Sequence, residues 1–147
     1  MTVMAPIARS PVRPGARLLA ALALAGSLVL HRLPLRHRVL ALRPLGHLRY
    51  ADPTVLAELH DAVLAVAPRW WPGRIACTEV GLATVLACAL AGRRADLVYG
   101  ARHLPDAAHA WSEVPGGAAG RDTGDACDRP WTPVARFPEQ VNRAYRS

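Results

Sequence analysis

WWPGRIACTEVGLATVLACALAGRRADLVYGARHLPDAAHAWSEV, residues 70–114, decides the fold of this chain. Trp70-Trp71-Pro72-Gly73 reads as a bulky turn. From about Ala76 to Ala91, Val80, Ala83, Leu86 and Leu90 recur every three or four residues, as one face of a helix does, and Gly92 supplies a C-cap. Arg93 and Arg94 follow at the helix end, where positive charge is favoured. Ala95–Ala101 (ADLVYGA) is a short strand. Ala108–Val114 (AHAWSEV) is a second, alternating His109, Trp111 and Glu113 onto one face, with Glu113 expected to meet solvent or Arg102.

On the N-terminal side, Asp52-Pro53 reads as an N-cap followed by proline at the first helical position. Val55, Leu59, Val63 and Val66 then predict an amphipathic helix over 53–67, ended by Pro68, with His60 and Asp61 on its solvated side. Residues 31–50 mix leucine and arginine around Pro34, Pro44 and Gly46, which suits short helical pieces. Leu18–Leu30 is apolar on every face but spans only thirteen residues, short of the roughly 20 that cross a bilayer. A buried or interfacial helix is the first expectation for it, a membrane-associating helix the second, a cleaved signal the third. Residues 1–14 hold three prolines and read as a loose tail.

On the C-terminal side, Pro115-Gly116-Gly117 is a turn, and a third strand within 118–130 is only weakly marked. Trp131–Phe137 can return as an edge strand, because Pro133 limits its hydrogen bonding. Helices first, then a small antiparallel sheet around one central helix, make the fold class α+β. The expected organisation is a tail and apolar helix over 1–34, one main domain over 35–140 and a tail over 141–147.

Composition narrows the function classes. With 147 residues, 52% of them hydrophobic, the chain can bury a core without staples. Its three cysteines, Cys77, Cys88 and Cys127, form no C-x-x-C pair, so a disulfide framework and a structural zinc site are disfavoured; a reducing cytoplasm is the default. No metal or cofactor is implied. All 18 basic residues are arginine, and residues 1–50 hold eight of them with no acid. The remaining ten arginines face eleven acids, so the net charge of +7 resides in the N-terminal arm. Aromatics do not interleave with that arm, which disfavours nucleic acid as a partner.

The chemistry centres on Cys77 and His109. Unpaired backbone N–H groups in the first turn of a helix favour a thiolate and can hold a developing oxyanion. Cys77 occupies that turn. His109 opens the strand that pairs back, in reach as its base. Cys88, mid-helix among Leu86, Ala87, Ala89 and Leu90, reads as an inert core residue. Cys127 lies in a polar loop, and His103 in a turn without an obvious partner.

Four pieces carry a resemblance: Gly73, Arg74, Cys77 and Glu79 as G-R-x-x-C-x-E; the apolar helix ending in Gly92-Arg93-Arg94; the strand with Gly100; and His109–Glu113 as H-A-W-x-E. Together they resemble the transglutaminase-like domain of lasso-peptide biosynthesis proteases, the protease half of the split B protein. That domain is similar to the C-terminal domain of the microcin-processing B protein and has a papain-like core. The resemblance covers roughly residues 35–137 and, loosely, the N-terminal helices. It implies a Cys-His-Asp cysteine peptidase that removes a leader from a ribosomally made precursor peptide, with Cys77 as nucleophile and His109 as base. For the acid, spacing anchored on Asp128–Pro133 favours Asp125, with Asp122 as the alternative. Implied partners are the precursor, a small leader-binding protein and an ATP-dependent lasso cyclase. Two other readings stand beside this one: acyl transfer to an amine, as in true transglutaminases, and an inactive assembly subunit associated with a membrane through Leu18–Leu30.

Overall fold

In the computed structural model, the residues described are 11–68, 77–102, 107–121 and 130–138. The chain is α+β. Four helices precede one sheet: α1 (Pro14–His31), α2 (Leu35–Leu42), α3 (Pro53–Val66) and α4 (Cys77–Leu90). A short 3-10 turn, Arg43–His47, follows α2. The strands are β1 (Asp96–Arg102), β2 (Ala107–Val114), β3 (Gly117–Ala119) and β4 (Thr132–Phe137), ordered β3-β2-β1-β4 and antiparallel throughout. The Trp70–Gly73 turn, His103, Cys127 and both expected tails beyond these bounds lie outside the described residues.

α4 is the helix around which the rest assembles. α1, α3, β1 and β2 all pack on it, and Gly81 to Val85, Ala87 and Cys88 are buried. It ends as expected: Gly92 takes φ +72°, Arg93 N–H donates to Cys88 O at 2.9 Å, and Gly92 N–H to Ala89 O at 2.9 Å. Those two bonds satisfy carbonyls that the last turn would otherwise leave open. One core joins α1, α3, α4 and the near face of the sheet through Ala23, Leu56, Leu59, Val85, Leu97 and Val114. A smaller cluster, Val98, Trp111 and Trp131, lies on the far face. Gly100 sits opposite His109 in the β1–β2 register, beneath the Trp111 ring. A Cβ there would come within 2.5 Å of that fully buried ring, so this strand position requires glycine.

The apolar Leu18–Leu30 stretch forms part of an 18-residue helix, long and apolar enough to cross a membrane by length and composition. The thirteen-residue count underestimated it, because Pro14 starts the helix one turn earlier. Ala20, Ala23, Leu24 and Ser27 nevertheless form a buried stripe toward α3 and α4. α3 starts at the expected residue, with Asp52 at the cap position and Leu56 N–H bonded to Asp52 O at 3.0 Å. The Asp52 carboxylate itself makes no capping bond.

Two charged residues differ from expectation. Arg94 does not lie along the helix end; it is 8% exposed and turned into the protein. Its Nε donates to Asp96 Oδ1 at 2.9 Å and its Nη1 to Gly46 O at 2.9 Å, and its guanidinium lies over the Tyr50 ring. Tyr50 O–H donates to the other Asp96 oxygen at 2.9 Å. Glu113 keeps part of its side chain in solvent but spends its carboxylate inside the sheet rather than on Arg102, accepting from Trp111 Nε1 at 2.9 Å and from Arg136 Nη2 at 3.3 Å.

Removing Asp96, 2% exposed, would strand the Arg94 charge in the interior. Asp96→Ala is expected to cost about 3–5 kcal/mol, read from the urea unfolding midpoint. Burial also pushes the Cys88 thiol up to about 12, whereas the unfolded thiol ionises near 9.0. The folded state therefore holds a proton that the unfolded state releases, and stability should fall as pH rises from 9 toward 12. Cys88→Ala should flatten that fall in urea titrations across the same range.

Candidate active site

Cys77 is the first residue of α4, half-buried and unpaired with another cysteine. Two hydroxyls fix its turn. Ser27 Oγ on α1 donates to Glu79 O at 2.8 Å, and Ser112 Oγ on β2 donates to Gly81 O at 3.0 Å. The thiol opens onto a cleft of about 200 Å³ lined by His60, Cys77, Val80, Trp111, Ala119 and Gly120 among others. A second hollow, between α2 and the sheet, holds only about 10 Å³, at most a single water.

His109 lies on β2 beside Ala110, which lines the cleft. Its ring is stacked over Trp111 with centroids 6.1 Å apart and tilted against Trp131 at 5.2 Å. Its Nε2 is 2.6 Å from the carbonyl of Gly120, another cleft residue. A carbonyl only accepts, so Nε2 carries a hydrogen, and in the neutral ring Nδ1 keeps the lone pair. His109 and Cys77 share no hydrogen bond, and His109 is not itself a lining residue. The fold brings the strand of His109 to the cleft of Cys77, but the His109 ring itself packs against Trp111 and Trp131 and is not joined to the thiol. Asp125 and Asp122 lie outside the described residues.

Sequence reasoning misplaced His60. Far from facing solvent, it lies in the same cleft as Cys77, with Nδ1 3.2 Å from Thr84 Oγ1 on α4. Thr84 spends its own hydrogen on Val80 O at 2.9 Å, so His60 Nδ1 is the donor and Nε2 keeps the lone pair. Gly120, at φ +77°, allows this close approach, since a Cβ there would sit 3.0 Å from the imidazole. Asp61 is exposed, as expected. Cys88 is fully buried, as its place among apolar neighbours implied. Among the described residues no three His, Cys, Asp or Glu side chains gather to hold a metal ion.

Burial lowers the pKa of His60 from 6.5, with neighbouring Asp61 opposing more weakly. The unfolded chain therefore takes up a proton sooner than the folded one as pH falls. Stability contributed by neutral His60 should be complete above about pH 6.5 and drop below it. In thermal melts across pH 7 to 5, His60→Gln should lose that part of the acid dependence.

Residues 18–134 match the Transglutaminase-like superfamily, whose members include cysteine peptidases and acyltransferases. No curated protein and no solved structure matches the chain. Running from α1 into β4 and including both Cys77 and His109, that match shows that the chain belongs to the transglutaminase-like superfamily.

Proposed function

We propose that the protein is a cysteine peptidase that removes the leader from a ribosomally made, lasso-type precursor peptide. The observation that carries this reading is the thiol of Cys77 at the start of α4, opening on a cleft flanked by the strand of His109. Cys77 passes its thiol proton to His109 Nδ1, and Sγ attacks the scissile carbonyl to form a tetrahedral intermediate, whose oxygen the first-turn N–H groups of α4 can stabilise. The C–N bond then breaks, His109 gives its proton to the leaving amine, and a thioester remains on Cys77. Water, losing a proton to His109, hydrolyses that thioester and frees the thiol.

The bond from His109 Nε2 to Gly120 O supports the assignment of a base. It fixes the ring at one nitrogen and leaves Nδ1 available to a thiol. Asp125, or Asp122 in its place, is the carboxylate proposed to stabilise the charged imidazole. The cleft is small for recognition of a long peptide, so a separate leader-binding partner would deliver the precursor, and an ATP-dependent cyclase would take the cleaved core peptide. Cysteines outside any disulfide suit a reducing cytoplasm as the compartment of this proposed reaction.

Combining the protein with its leader-binding partner and precursor should yield two peptides by mass spectrometry. Cys77→Ala should reduce the rate at least about a thousandfold, and His109→Ala comparably. Cleavage unchanged in Cys77→Ala contradicts the proposal. A single heavier adduct in place of two peptides would assign acyl transfer to an amine instead.

A further inference from the structure

α1 is apolar on two opposite faces. Ala20, Ala23, Leu24 and Ser27 form the buried stripe. On the other side, Leu18, Leu22, Ala25 and Val29 recur at spacings of four, three and four residues, one line along the helix. They face outward: Leu18 is 63% exposed, Leu22 56% and Val29 65%. Leu33 and Leu35, 40% and 55% exposed, prolong the apolar surface past the helix end. Six of the nine large exposed apolar side chains among the described residues belong to the 18–40 segment, counting Leu40. A soluble surface rarely concentrates them so.

The charge around this stripe has one sign. Arg17, Arg32, Arg36 and Arg43 are exposed on or beside α1 and α2, and residues 1–50 contain no Asp or Glu at all. An apolar line bordered by arginine complements a surface that is apolar beneath and anionic above.

We propose that the outward face of α1 lies in the plane of an anionic membrane surface, with Leu18, Leu22 and Val29 in the acyl boundary and the flanking arginines on lipid phosphates. The helix does not span. Spanning would pull Ala20 and Ala23 from the core and break the bond from Ser27 Oγ to Glu79 O that steadies the turn of Cys77. In-plane contact uses only the face the fold leaves uncovered. Because that bond joins α1 to the start of α4, the cysteine helix would be held at a fixed height above the lipid. The attachment is independent of the reaction proposed for Cys77 and is tested without a substrate.

Vesicle flotation of the full chain tests it, with vesicles of phosphatidylcholine alone or containing about a third phosphatidylglycerol. The protein should float with the anionic vesicles and remain below with the neutral ones. Raising salt to about 0.5 M, or the triple substitution Leu18→Ser, Leu22→Ser, Val29→Ser, should each reduce the bound fraction about tenfold or more. The triple variant should keep its helical circular dichroism and melting temperature, since all three side chains point away from the core. Absence of flotation overturns the proposal, as does binding that survives the triple substitution. Resistance to alkaline carbonate extraction would show a spanning helix instead. A wild-type dimer that the triple variant disperses, with no vesicle binding, would show that a second copy covers the face.

Discussion

Two serine hydroxyls hold the start of α4, and the candidate site depends on them. Ser27 reaches from α1 to Glu79 O and Ser112 from β2 to Gly81 O, so the first two turns of the cysteine helix are tied on both sides. Both serines are fully buried, where an unmade hydrogen bond costs about 1–3 kcal/mol. The accepting carbonyls lie two and four residues along α4 from Cys77, so it is the buried hydroxyls that these bonds satisfy. Helix position, sheet position and thiol position are thereby a single constraint. The apolar packing of Leu82, Val85 and Cys88 supplies cohesion, but it is these directional bonds that set the height of the thiol against β2.

Around that turn the site is assembled from backbone as much as from side chains. Gly120 touches both imidazoles: its carbonyl takes His109 Nε2, and its missing Cβ admits the ring of His60. Two histidines thus flank one glycine, each fixed in a tautomer by a neighbouring oxygen. His60 is kept neutral by burial. A neutral second imidazole adds a hydrogen-bond acceptor to the cleft without adding a charge.

Much of this was legible in the sequence because it rests on periodicity and punctuation. The period of Val80, Ala83, Leu86 and Leu90 located α4 to within a residue at each end, and Gly92 marked its close. Alternation placed His109, Trp111 and Glu113 on one face, as their ring contact and hydrogen bond confirm. Pro133 marked β4 as an edge strand, which the sheet order bears out. What escaped was the direction in which the folded chain turns particular polar side chains. His60 was read outward from a stripe centred on Val55, Leu59, Val63 and Val66; the buried residues are Leu56, Leu59, Ala62 and Val63, a stripe rotated toward it. His60 lies four residues after Leu56 and three before Val63, so the inward position was available from spacing alone. Arg94 and Glu113 could not be read that way. Their partners, Asp96 with Gly46 and Trp111 with Arg136, are chosen by how the sheet folds over the helix turn.

The proposed chemistry requires that the Cys77 thiol be activated by its helix turn and by His109. Alkylation by iodoacetamide at pH 6, followed by peptide mapping, tests it without knowledge of the substrate. Cys77 should be modified at least about tenfold faster than Cys88, and His109→Ala should slow Cys77 by a similar factor. Equal, slow modification at both cysteines, indifferent to His109, would contradict the account.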